Sequence, residues 1–332
     1  MATTKLVIPA CPFSLSEVKG NRRDFKCMSN AKGGGGGGYR PALILPGLGN
    51  NSSDYQQLSS SLEAKGVRTV VANVSRPDWL RNAAGLLDGN YWKGTLRPRP
   101  VLDWYLKKIE DAISTANQLA DGGKISLIGH SAGGWLARVY LAEYGFDGIS
   151  LLLTLGTPHL PPPKGVSGVI DQTRGLLDYV EKYCPVSSYA SQLKVVCIAG
   201  RYVKGERFFK NQSIKLSSSS METVAGVDGN LIVKPNEGTI EAIDNDMDKS
   251  SSNQLNSSRF RALIVGQGYK QVCGKANVWG DGVVPEVSAH LEGAKNITLE
   301  GVYHSPVGAD DISRPWYGSN TVLDKWMHHL QD

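Results

Sequence analysis

Apolar residues along this chain recur with two spacings. Short, nearly continuous runs rich in Val, Ile and Leu occupy 42–45, 67–74, 125–128, 149–155, 193–199 and 297–299. Such runs are expected of strands buried on both faces. Between them, 53–64, 101–120, the segment after Ser131 and 321–330 carry helical spacing. In 101–120, Leu102, Leu106, Ile109 and Ile113 recur every three or four residues, and after Ser131 so do Trp135, Leu136, Val139 and Tyr140. Strands alternating with helices predict an α/β fold with a mostly parallel central sheet and helices on both faces. Two stretches break the pattern. Residues 75–100 hold Trp79, Leu80, Leu86, Leu87, Tyr91 and Trp92 without a period and are expected to be irregular. Residues 210–258 are serine-rich, carry few large apolar residues and predict a mobile surface insertion, with order returning at 260–265.

Charge changes the picture at one end only. Of 36 basic and 31 acidic residues, seven and two fall in residues 1–40, leaving 29 of each elsewhere. The body therefore has no overall attraction for nucleic acid, and none for an anionic membrane surface through net charge. Residues 1–32 are poor in acids, dotted with Ser, Thr, Lys and Arg, and interrupted by Pro9 and Pro12. This composition resembles that of an organellar transit peptide of plastid type, from which a chloroplast location is expected. The alternative is a plain disordered N-terminus on a cytoplasmic protein. Glycines 33–38 form a linker, so residues 1–38 are expected to be leader and 39–332 the folded domain. No stretch approaches the roughly 20 apolar residues that span a bilayer. Three body cysteines without C-x-x-C spacing predict neither a disulfide framework nor a zinc site. The alternating Asp244, Asp246 and Asp248 fail as a calcium loop, because Leu255 stands where a bidentate glutamate belongs. No metal and no cofactor is expected.

Candidate chemistry begins at 129–133, Gly-His-Ser-Ala-Gly, a G-x-S-x-G turn between a predicted strand and a predicted helix. A serine hydroxyl becomes a nucleophile when a sharp turn lifts it clear of the backbone and offers it to a base, and glycines two positions away make room for that turn. The helix start also points N–H groups at any anion forming beside Ser131. A base, an orienting acid and an oxyanion hole must complete the set. Among six histidines, His304 lies in a loop after the last strand, whereas His130 packs beneath the turn and His159 follows a strand end, lining a pocket or stabilising its own turn. His290, His328 and His329 fall in predicted helix or loop. Asp281, between two glycines, precedes His304, the order Ser–acid–His; Asp310 and Asp311 follow it. The oxyanion donors are expected at the Ala132 and Leu48 N–H groups, Leu48 lying in the glycine loop after the first body strand.

With PGLG at 46–49, GHSAGG at 129–134, LGTPH at 155–159, GDGVVP at 280–285, SAHL at 288–291 and YHSP at 303–306, the chain resembles the α/β-hydrolase superfamily, in particular its lipase-like, plastid-targeted plant members. The resemblance implies an eight-stranded type of sheet and a Ser131–Asp281–His304 triad. Pro46, where many lipases place histidine, and the 210–258 insertion depart from it. The expected activity is serine-dependent hydrolysis of carboxylic esters through an acyl-enzyme, on a small-molecule or lipid ester, with peripheral membrane contact left open. A thioesterase, acyltransferase or prenyl-ester hydrolase would use the same triad, and a non-catalytic ligand-binding member of the fold would keep it idle. Trp79, Trp92 and His159 are candidate pocket residues, and the segment from Trp79 to Trp92, with 160–189, either forms an apolar lid or simply packs.

Overall fold

The computed structural model describes residues 38–189, 191–207, 222–225, 231–234 and 251–331. The predicted leader, nearly all of its glycine linker and most of the 210–258 insertion, with its aspartates, lie outside the described residues.

In chain order the central elements are β1 (Ala42–Leu45), α1 (Gln56–Ala64), β2 (Thr69–Val71), α2 (Gly89–Lys93), α3 (Asp103–Ala120), β3 (Ile125–His130), α4 (Ala132–Tyr144), β4 (Ile149–Leu155), α5 (Leu176–Tyr183) and β5 (Lys194–Arg201). There follow short strands β6 (Val203–Lys204), β7 (Glu222–Ala225) and β8 (Leu231–Lys234), then α6 (Ser251–Cys273), β9 (Trp279–Gly280), α7 (Glu286–Ala289), β10 (Lys295–Glu300) and α8 (Asn320–Trp326). Six strands make the main sheet in the order β10-β5-β4-β3-β1-β2, and every neighbouring pair is parallel. β6 pairs with β9, and β7 with β8, in antiparallel ribbons.

Successive residues of a strand face opposite sides, so the apolar runs feed two cores at once. Leu43, Leu45, Leu127, Leu152, Val195 and Cys197 join the side chains of α3, α4 and α5 on one face. Ala42, Ile44, Ile128, Leu153, Val196 and Ile198 join Leu58 and Leu62 of α1 and Leu323 and Trp326 of α8 on the other. Helices thus cover both faces, as the alternation predicts.

This arrangement decides where a site can form. After β1 the chain crosses to α1 on one face; after β3, the adjacent strand, it crosses to α4 on the other. The loops leaving β1 and β3 therefore diverge, opening a crevice at the C-terminal ends of the two strands. The Pro46–Asn50 loop and Ser131 stand on its two sides.

Three expectations need correction. The sheet has six strands among the described residues, not the eight implied by resemblance. Residues 75–100 are irregular only at their end: a 3₁₀ helix runs over Arg76–Leu87 and α2 follows it, with 94–100 outside any helix or strand. A three-residue turn carries no 3.6-residue period, which is why the pattern is invisible in sequence. Helix begins at Ser251, not at 260–265, because its first turns are Ser, Asn and Gln, residues that signal loops more often than helices.

Candidate active site

Ser131 sits between β3 and α4 with φ 51° and ψ −124°, a conformation that side-chain-bearing residues rarely adopt. Close packing holds it there. A Cβ on Gly129 would strike the Gly134 backbone, one on Gly133 the Leu45 carbonyl, and one on Gly134 the Thr157 hydroxyl. Glycine is thus required at three positions around the turn, so that α4 can lie against both β1 and the segment after β4. The Ser131 amide donates to the Leu155 carbonyl (2.9 Å), and its side chain does not cap α4. The hydroxyl is not spent on the helix.

Across the crevice, the Pro46–Asn50 loop is fastened at three points. The Tyr105 O–H donates to the Pro46 carbonyl (2.6 Å), the Gly47 N–H to the Tyr55 hydroxyl (2.8 Å), and the Trp79 Nε1–H to the Asn50 carbonyl (2.8 Å). Gly47 approaches Ser131 so closely that a Cβ on it would lie 2.8 Å from the Ser131 Cβ. Gly49, at φ 79°, lets the loop turn back, and the Asn50 N–H closes on the Gly47 carbonyl at 3.1 Å. Among the described residues, neither the Leu48 nor the Ala132 N–H donates to a protein acceptor. The Leu48 side chain points to solvent, while Ala132 is buried.

Asp281 and His304 come from the loops after β9 and β10. Both are buried, and the His304 Nδ1–H donates to Asp281 Oδ2 at 2.7 Å. This contact leaves Nε2 as the acceptor nitrogen of the ring. The His304 N–H also donates to the Asp281 carbonyl (3.0 Å), fixing the two loops to each other. The carboxylate is held from every side: Oδ1 accepts from the N–H groups of Val283 (3.0 Å) and Val284 (2.7 Å), and Oδ2 also accepts from the Tyr317 O–H (2.8 Å). Burial, and then the nearby Asp281 charge, push the Tyr317 phenol well above its ordinary pKa, so it stays a donor. His130, the residue before Ser131 in the chain, is bonded to the His304 backbone. Its Nε2 lies 2.9 Å from the His304 carbonyl, and the two rings are 4.8 Å apart.

Two of the three candidate pocket residues lie elsewhere. His159 is fully buried; its Nε2 meets Thr154 Oγ1 (3.0 Å) and Cys197 Sγ (3.4 Å), and its Nδ1 faces the Arg138 guanidinium (3.5 Å). It stabilises its own turn and exposes no surface to a ligand. Burial and the Arg138 charge keep it neutral. Trp79 packs into the core, edge-on to Trp104 at 5.1 Å. The 3₁₀ turn explains the difference: it places Trp79 inward and Leu80 outward. Trp92 is on the surface, 59% exposed, its Nε1–H donating to the Leu86 carbonyl (3.0 Å). Sequence reasoning missed Tyr55, Tyr105 and Tyr317, each a hydroxyl buried against the site, because no local pattern distinguishes such a tyrosine from a core one. Among the described residues no cluster of His, Cys, Asp and Glu could hold a metal ion, and no helix is long and apolar enough to cross a membrane.

Residues 98–203, about a third of the chain, match the PGAP1-like alpha/beta domain. That stretch includes β3, Ser131, α4, β4 and β5 and ends before Asp281 and His304. No curated protein sequence matches the chain. Solved structures to which the chain is similar include the Bacillus licheniformis lipase BlEst2 in mature form, at 14% identity over 89% of this chain and 93% of that one (TM-score 0.41). Est1E from Butyrivibrio proteoclasticus is 12% identical over 89% of both chains (TM-score 0.36). Phospholipase PlaB from Legionella pneumophila is 13% identical over 50% of this chain and 40% of its own (TM-score 0.33). The fold itself rests on the strand order and the turn at β3. Six parallel strands with helices on both faces, and a serine at positive φ on the turn that leaves the central strand for its helix, give this chain the α/β-hydrolase fold.

Proposed function

We propose that the chain is a serine-dependent carboxylic ester hydrolase in which Ser131, His304 and Asp281 act as nucleophile, base and orienting acid. The observation that carries this reading is a positive-φ serine on the turn after β3 together with the buried Asp281–His304 pair, whose His304 carbonyl is bonded to His130, the residue before Ser131. His304 Nε2 takes the Ser131 proton as Oγ attacks the ester carbonyl, and Asp281 stabilises the imidazolium that forms. The Leu48 and Ala132 N–H groups, uncommitted to protein acceptors, hold the oxyanion. His304 then returns the proton to the departing alcohol, and water, activated by the same nitrogen, releases the acid from Ser131.

The acyl group is proposed to be apolar. Leu48, Leu80, Leu87 and Trp92 are 59%, 75%, 91% and 59% exposed, and the 3₁₀ helix that carries Leu80 and Leu87 is bonded to the Pro46–Asn50 loop through Trp79. This supports a lipid-like or medium-chain ester over an acetate. The test is hydrolysis of a 4-nitrophenyl ester series from acetate to palmitate by wild type and Ser131→Ala. Turnover is expected to rise with chain length and to fall at least about 10⁴-fold in the variant. A preference for acetate would reject the apolar-acyl reading, and equal rates in the variant would reject Ser131 as nucleophile.

A further inference from the structure

His130 is used by none of the steps above, yet it is fully buried between the two halves of the site, and its hydrogen bonds can be assigned a direction. Its Nε2 faces the His304 carbonyl, which can only accept, so Nε2 carries the proton. Burial, and then the neighbouring His304, hold the ring's pKa well below the ordinary histidine value, so it is neutral and Nδ1 is an acceptor. The partner at Nδ1, 2.7 Å away, is Tyr55 Oη, which must therefore donate. The same oxygen accepts from the Gly47 N–H at 2.8 Å. A single directed chain results: Gly47 N–H to Tyr55, Tyr55 to His130, His130 to His304 C=O. It runs from the loop carrying Leu48 to the backbone of the base, through His130, the residue before Ser131.

Each link is itself fixed. Tyr55 ends the 3₁₀ turn Ser52–Tyr55, locked by a reciprocal cap in which the Asp54 N–H meets Asn51 Oδ1 (3.1 Å) and the Asn51 N–H meets Asp54 Oδ2 (2.9 Å). Trp316 lies edge-on to both rings, 6.0 Å from Tyr55 and 5.8 Å from His130. All three groups are essentially inaccessible to water, so no solvent molecule can replace a lost partner cheaply.

We propose that Tyr55 and His130 are positioning residues that hold the oxyanion loop and His304 in register about Ser131. The inference rests on the ester-hydrolase reading of the site. It assigns these two residues no contact with substrate; they act through Gly47 and through the His304 backbone. Misplacement of reacting groups by a fraction of an ångström to an ångström lowers turnover sharply without altering ground-state binding.

The test compares Tyr55→Phe, His130→Asn and His130→Gln with wild type, using 4-nitrophenyl butyrate turnover normalised to the sites titrated by a fluorophosphonate, and inhibition by phenylboronic acid as a mimic of the tetrahedral adduct. For Tyr55→Phe, kcat per titrated site is expected to fall about 10- to 100-fold with KM nearly unchanged, and boronate affinity to fall alongside kcat. A purely structural role would lower the melting temperature or the titrated fraction while leaving kcat per site at the wild-type value, and that outcome overturns the proposal. The histidine pair is a second, independent reading. Gln places an amide near the former Nε2 and can still donate to the His304 carbonyl, whereas Asn reaches only the Nδ1 position. Each variant keeps one link of the chain and loses the other, so kcat per titrated site is expected to fall about fivefold or more in both; wild-type kcat per site in either overturns the proposal even if Tyr55→Phe fails to fold. Wild-type protein that neither hydrolyses the ester nor takes the fluorophosphonate would instead contradict the reading of the site.

Discussion

Asp281→Asn is expected to lower kcat for ester hydrolysis about 10⁴-fold while leaving the fold in place. The carboxylate is buried and accepts the His304 Nδ1–H at 2.7 Å. An amide of the same shape can turn its oxygen to the Val283 and Val284 N–H groups, which then orient its NH₂ toward His304 and Tyr317. The NH₂ donates, so His304 Nδ1 must become an acceptor and the proton moves to Nε2. The ring then points an N–H at Ser131 and cannot take its proton. The backbone bond from the His304 N–H to the Asp281 carbonyl is untouched, so the loops should stay where they are. Melting temperature and turnover measured together separate the two effects. A fall of less than about tenfold in a well-folded variant would mean that Asp281 does not set the tautomer of the base.

Acidification from pH 7.5 to 5.5 is expected to destabilise the fold by a few kcal/mol, chiefly through His130 and His159, with His290 and His329 acting in the same direction. His130 and His159 are buried, and burial first of all lowers both pKa values well below the ordinary 6.5. The unfolded chain binds protons at these sites as pH falls through 6.5, and the native state does not. Stability is therefore full above that pH and is lost as pH drops below it, at up to about 1.4 kcal/mol per pH unit for each histidine. The carboxylates with lowered pKa values, such as Glu286 and Asp78, titrate below this window and leave it undisturbed. Urea denaturation at the two pH values measures the difference. A flat profile would show that the native state takes up protons at these rings, breaking the bond from Tyr55 to His130 and the Arg138 contact at His159 Nδ1.

How much of this was legible in the sequence depends on the range of the interaction involved. The runs at 42–45 and 149–155 coincide with β1 and β4 because a strand buried on both faces is nearly continuous in apolar residues. The turn at Ser131 is legible because steric exclusion at Gly129 and Gly133 is local and leaves a fixed spacing. The order Ser131, Asp281, His304 identifies residues of which the last two prove to be hydrogen-bonded, although 22 residues of varied structure separate them. What escaped notice is set by contacts across the fold. Trp79 looked like a pocket residue because aromatic composition does not say which side of a 3₁₀ turn faces the core. His159 looked available because its partners Arg138 and Cys197 are far away in sequence. Tyr55 lies 75 residues from His130, and Tyr317 lies 36 from Asp281, so neither spacing marks a motif. The order of the sheet, and with it the crevice between β1 and β3, follows from pairing that no single segment encodes.

The central claim is that the Ser131 oxygen is a nucleophile activated by His304. Its most direct measurement is intact-protein and peptide mass spectrometry after reaction with a fluorophosphonate, on wild type, Ser131→Ala and His304→Ala. One adduct per chain, on the peptide containing Ser131, is expected in wild type, with none in Ser131→Ala and labelling slowed by orders of magnitude in His304→Ala. Folded wild-type protein that takes no adduct, or takes it on another residue, would contradict the account.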